Sequence, residues 1–187
     1  RVCITLILLV GVGAFAPLCL IAAEQEKHLV NFGEGFDVAS VKRSDCTVLP
    51  VADGWLRIKT GHKAPWPGVT LKAPGGKWDL SGYRYVALDV NNLVTTPLTV
   101  LTRIDNPGAD GRKNCVTGRI TLDAKERRTL TVELFPSQWR LSEPLELIGM
   151  RGYPVSRARL DAANVTQLLI FVADPQVDYV FEIDNIR

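Results

Sequence analysis

The sequence predicts an all-β protein, a β-sandwich or jelly roll of about ten short strands. Three observations carry that expectation. Strand-like runs follow one another from His28 to Ile186, separated by Gly, Pro, Asn and Asp. Within the runs apolar side chains recur with a period of two: along Tyr83–Asn91, Val86, Leu88 and Val90 share one face, while Tyr83, Tyr85, Ala87 and Asp89 share the other. That is the alternation of a half-buried strand. Helix-period runs are sparse, and nothing resembles the strand–helix alternation of an α/β barrel.

Taken in order, the expected strands begin with His28–Phe32 and Cys46–Pro50. Gly54–Thr60 follows, with Trp55, Arg57 and Lys59 alternating against Leu56 and Ile58. A stiff loop, Ala64-Pro65-Trp66-Pro67-Gly68, leads into Val69–Ala73. The turn Pro74-Gly75-Gly76 and the polar corner Trp78-Asp79-Leu80-Ser81-Gly82 precede Tyr83–Asn91. Leu98–Asp105 ends at the turns Asn106-Pro107-Gly108 and Ala109-Asp110-Gly111, after which come Lys113–Leu122 and Arg128–Phe135. An irregular stretch runs from Ser137 to Asn164, flanked by one helical turn at Pro136 to Arg140 and ended by a short helix at Ser156 to Asn164. A loop of that length is usually functional or covers one end of the sandwich. Val165–Val172 and Tyr179–Ile186 close the series.

Residues 1–23, RVCITLILLVGVGAFAPLCLIAA, differ in kind. One basic residue, an apolar run and a small-residue end read as a secretory signal peptide cleaved near Ala23. That reading leaves 24–187 as one sandwich domain in a secreted, periplasmic or cell-surface protein. A retained membrane anchor is the alternative, since the run is long enough to span a bilayer. Pro17-Leu18 before Cys19 does not supply the small residue that lipid attachment needs. The first residue is Arg and not Met, which suggests a fragment or a misassigned start.

The 187 residues are 47% hydrophobic and 22% charged, enough for one real core. The net charge is +2 without any basic block, so nucleic-acid binding has no electrostatic support. Cys3 and Cys19 fall in the leader; Cys46 and Cys115 remain, and export would permit a disulfide whose existence geometry decides. No Cys-x-x-Cys or Cys/His cluster signals zinc or redox chemistry.

Candidate chemistry is thin. His28 and His62 are the two histidines, and neither signals a Ser-His-Asp arrangement. Glu182 and Asp184 in FEIDNIR lie on one side of a strand. Their carboxyls would be roughly 7 Å apart, near the range of two-carboxylate hydrolysis. The alternative is one acid on a calcium ion and the other paired to a base. The four tryptophans are Trp55, Trp66, Trp78 and Trp139. Trp78 is expected to pack beneath its corner; Trp66 and Trp139 either present a ring to solvent or plug the core. Arg103 and Asp105 share a strand face, and Arg151-Gly152-Tyr153-Pro154 interrupts the irregular stretch. Arg, Asp and an aromatic platform are the inventory for holding a sugar, or for ordinary surface pairs. Asn164-Val165-Thr166 matches a glycosylation acceptor.

Several segments together carry a resemblance: NFGEGFDV, APWPGVTLKAPGGKWDLSGYRYVALDVNN, LTRIDNPGADG, RRTLTVELF, LIGMRGYP and NVTQLLIFVADPQVDYVFEIDNIR. Their order resembles the N-terminal carbohydrate-binding-like domain of β-agarase-type glycoside hydrolases. It is more distantly similar to galactose-binding-like jelly rolls, such as family 11 and family 4/9 carbohydrate-binding modules. The resemblance implies a polysaccharide context. Joined to the leader and the residues above, it gives a secreted, non-catalytic domain that binds or positions a polysaccharide, for instance a galactan, through Trp66, Arg103, Asp105, Trp139 and Arg151. It also implies a structural calcium held by Asp184 of the closing I-D-N-I strand, with Glu34 as a second ligand. A C-terminal catalytic barrel would be the natural partner and is not in this sequence. Two other readings stand beside it: an accessory domain without a ligand of its own, and a stand-alone glycosidase using Glu182 and Asp184. The last matches only the first half of the Glu-x-Asp-x-x-Glu motif of laminarinase-like sandwich glycosidases, because Arg187 occupies the third position.

Overall fold

The computed structural model describes residues 26–50, 54–135 and 160–187. The apolar leader, the turn expected at Pro136 to Arg140 and the first part of the helix expected at Ser156 to Asn164 lie outside them. Two five-stranded antiparallel sheets pack face to face. The first has the order β1 (Lys42–Ser44), β4 (Gly68–Lys72), β9 (Gln167–Phe171), β6 (Leu98–Asp105), β7 (Cys115–Leu122). The second has the order β2 (Cys46–Pro50), β3 (Leu56–Thr60), β10 (Val180–Asp184), β5 (Tyr85–Asn92), β8 (Arg127–Glu133). This is the ten-strand all-β jelly roll that the alternating runs predict.

The core lies between the sheets and is filled by every second side chain. On β5, Val86, Leu88 and Val90 are buried and Tyr85, Ala87, Asp89 and Asn91 face out. On β6, Leu98, Val100, Thr102 and Ile104 point in, while Thr99, Leu101 and Arg103 point out. Phe181 and Ile183 of β10 meet them from the second sheet with no exposed surface. Trp78 is 6% exposed and joins this core beneath its corner; its backbone bridges Val165. The turn at Pro74–Gly76 needs its glycines, whose φ values of 73° and 95° an L side chain rarely adopts.

One expectation is corrected. His28–Phe32 is not a strand: only Val30 pairs, through an isolated bridge to Ile186. Leu29 and Phe32 are buried, so the apolar character that suggests a strand serves core packing instead. A short edge strand, Lys42–Ser44, takes the vacated place in the series. Cys46 and Cys115 are both free. Cys46 sits in β2 and donates its thiol to the carbonyl of Gly68 at 3.0 Å, whereas Cys115 opens β7 at the far edge of the first sheet. Burial raises the pKa of each thiol above its ordinary value.

Candidate functional site

The outer face of the first sheet brings three of the sequence candidates together, Trp66, Arg103 and Asp105. Pairing register sets its side chains in rows. One row runs Ser44, Gly68, Phe171, Leu101, Arg119; the next runs Lys42, Thr70, Leu169, Arg103, Thr117. With strands about 4.8 Å apart, each row is roughly 19 Å long. A groove of about 620 Å³ follows these rows and is lined by Trp66, Phe171, Leu169, Leu101, Thr70 and Arg103 among others.

Trp66 is 54% exposed and stands edge-on to Phe171, ring centroids 5.8 Å apart at 85°. Its loop is held on both flanks. The carbonyl of Pro65 accepts from the amide of Asp174 at 2.8 Å, and that of Pro67 from Val172 at 3.1 Å. Asp45 accepts the amides of Lys63 and Ala64 at 2.8 and 2.9 Å, and the amide of Gly61 donates to its carbonyl. Those amide bonds hold the Asp45 carboxyl below its ordinary pKa. His62 Nδ1 lies 2.7 Å from the Asp178 carboxylate across the same pair of loops. Trp66 is thus presented by a laced double loop rather than by a free one.

Arg103 and Asp105 are adjacent on this face, as the alternation requires. Arg103 donates through Nε and Nη2 to the two Asp105 oxygens at 2.7 and 2.9 Å. Gln167 donates to Asp105 Oδ2 at 2.9 Å. Asp105 has no exposed surface, so its place is under the groove, holding Arg103, and not in contact with a bound molecule. Those hydrogen bonds push the Arg103 guanidinium further above its ordinary pKa.

The rim beyond Arg103 is built by residues 106–114. Asn106 donates to the carbonyls of Asp161 and Asn164 and accepts from the amide of Asp161. It ties this rim to the segment entering β9. Asp110 accepts the amides of Arg112 and Lys113, which lowers its pKa. Arg112 and Asp110 both line the groove.

Trp139 and Arg151 lie outside the described residues. Asp184 is paired in register with Asp89 and lines a separate small depression with His28, Asn31, Asp89, Arg127 and Asn185. Glu34 stands exposed in the turn after Phe32 and does not line that depression. Burial raises the Asp89 pKa, but hydrogen bonds from Thr129 and Asn185, with Arg187 and Arg127 nearby, outweigh it and leave the carboxyl acidic. That charge is already answered by protein groups. Among the described residues no three His, Cys, Asp or Glu side chains converge to hold a metal.

Glu182 is engaged by its neighbours on both oxygens. It is 7% exposed. Arg57 donates twice to its Oε1, at 3.0 and 2.7 Å, and Asn91 donates to Oε2 at 3.0 Å. Both oxygens are spent on neighbours across the outer face of the second sheet. Trp55 lies on that face too, covered by Arg127 at 4.3 Å from its ring centre.

The groove also holds residues that reading the sequence passes over: Phe171, Leu169, Lys42 and Arg112. Phe171 has a usable signal, since it keeps step with Gln167 and Leu169 and out of step with the fully buried Leu168 and Ile170.

This is a ten-strand jelly-roll sandwich with an aromatic-walled groove across one sheet. No family model matches the chain, and no curated protein matches it. Solved structures do. An exo-β-agarase aligns at a TM-score of 0.63 with 14% identity, over 86% of this chain and 24% of its own. An agarase, AgWH50C, aligns at 0.64 with 14% identity, over 86% and 24%. The module CtCBM11 aligns at 0.53 with 18% identity, over 89% of this chain and 96% of its own. The fold is therefore the jelly roll found in agarase chains and in carbohydrate-binding modules. The chain spans about a quarter of the length of the agarases it matches.

Proposed function

We propose that the chain is a secreted, non-catalytic carbohydrate-binding domain that lays a polysaccharide across the outer face of the first sheet. One observation carries the reading: a half-exposed Trp66, fixed by its loop and set against Phe171, opens beside a guanidinium locked in place by a buried acid. Trp66 offers a flat apolar surface to a pyranose ring. Arg103 offers planar N–H donors to ring hydroxyls. Both are ordered before a ligand arrives, which lowers the entropy cost of binding.

A galactan is the polymer we favour, and a catalytic barrel is the natural neighbour in a longer protein. The likeness of fold to agarase chains supports this choice.

Affinity electrophoresis of the chain through gels containing agarose and other galactans tests the reading. Retardation on at least one glycan is expected, with loss in Trp66→Ala. Free migration on all of them would sink it.

A further inference from the structure

Resting on that reading, we infer that the polysaccharide carries anionic substituents, sulfate half-esters or carboxylates. The argument is a comparison of the two outer faces. On the second sheet most outward cations are answered by acids: Arg57 by Glu182 at 2.7 Å, Arg84 by Glu133 at 3.5 Å, and Arg187 and Arg127 by Asp89 at 3.5 and 3.9 Å, with the exposed Lys59 outside these pairs. The groove on the first sheet is different. Its charged lining is Lys42, Arg103, Arg112 and one acid, Asp110. Asp110 turns its carboxylate onto the amides of its own loop. Asp105, the other acid nearby, is buried and spent on Arg103 and Gln167. Among the described residues neither Lys42 nor Arg112 has an acidic partner.

The placement of these charges matters as much as their sign. Lys42 is on β1, at one edge of the sheet, and Arg112 stands in the loop before β7, at the other. The apolar floor of Leu169, Leu101 and Phe171 lies between them. A sugar ring stacked on that floor directs its substituents outward, toward the cationic rims. Sulfate or carboxylate groups there would form charge-assisted hydrogen bonds, whereas a neutral glycan would leave both cations facing hydroxyls.

The test runs the 187-residue chain through native gels containing agarose, ι-carrageenan or polygalacturonate, with single-stranded DNA as a competitor. Retention on one of the two anionic polymers should exceed that on agarose by about tenfold at low salt and fall toward the agarose value near roughly 0.5 M NaCl. Which anionic polymer is retained identifies the substituent. Lys42→Gln with Arg112→Gln should collapse the preference for the anionic polymer without shifting the melting temperature; Lys42→Gln alone should lower it part-way. Equal or stronger retention on agarose would overturn the inference and leave the binding reading standing. Loss of retention on every polymer would overturn both. Displacement by DNA as effective as by carrageenan would show a generic polyanion patch and overturn the inference. So would anionic retention untouched by Trp66→Ala, since no ring would then be stacking.

Discussion

Asp105 and Arg103 share a two-pronged ion pair on β6 in which the acid is wholly buried and the base reaches the groove. Such a pair is asymmetric: removing either partner strands the other in a poor environment. Asp105→Asn removes the charge and one acceptor oxygen. It should cost about 3 kcal/mol, read as a fall of roughly 6–12 °C in melting temperature. The same variant should weaken glycan retention, because Arg103 loses its orientation. Arg103→Lys is the better probe of recognition, since it keeps a cation over Asp105 while removing the planar fork.

Gly68 has no room for a side chain. A Cβ built there would stand 2.2 Å from the Ile170 carbonyl oxygen and 2.6 Å from the Phe171 Cα, both of them backbone. Gly68→Ala must therefore part β4 from β9. A loss of about 3 kcal/mol is expected by chemical denaturation, together with weaker glycan retention as Phe171 shifts beneath Trp66.

Thr102 faces the core with 1% exposure, and its hydroxyl finds no hydrogen-bond partner among the described residues. Thr102→Val keeps the shape and removes the buried polar atom. It should stabilise by about 1 kcal/mol, seen as a higher denaturant midpoint with unchanged slope. A lower midpoint would mean that the hydroxyl is satisfied after all.

Asp45 gives the Trp66 loop a pH dependence. The amides of Ala64 and Lys63 hold its carboxyl below the ordinary value of 3.8. The folded state therefore favours the charged form. Its contribution is complete at neutral pH and is lost as the pH falls below 3.8. Tryptophan emission should show a loop transition in that acid range, identified with Trp66 by its disappearance in Trp66→Phe. Asp45→Asn accepts the left-handed backbone, φ 42°, but has no charge to lose; its emission should be flat over the same range.

The strands that the sequence shows best are those with one wet and one dry face. Cys46–Pro50 and Leu98–Asp105 have the same limits in sequence and structure. β1 is invisible because Lys42, Arg43 and Ser44 are all exposed and carry no alternation. His28–Phe32 misleads for the opposite reason, being apolar for the core while pairing at one residue. In the site, Trp66 and Arg103 are legible from a stiff loop and a strand face. Phe171 is legible only in part: its alternation sets it with Gln167 and Leu169, and burial of Leu168 and Ile170 then shows which side faces out. Lys42 and Arg112 look like any solvated cations until the fold sets them on opposite rims of one groove.

The strands latest in the chain sit in the middle of the sandwich. β9 lies between β4 and β6, and β10 between β3 and β5. Without residues 167–184 each sheet falls into two halves with bare inner edges, and the groove loses Phe171 and Leu169. Non-local pairing of this kind is slow and cannot begin early. During synthesis the domain should stay open until its final strands leave the ribosome. The binding surface would then appear all at once, as the last act of folding.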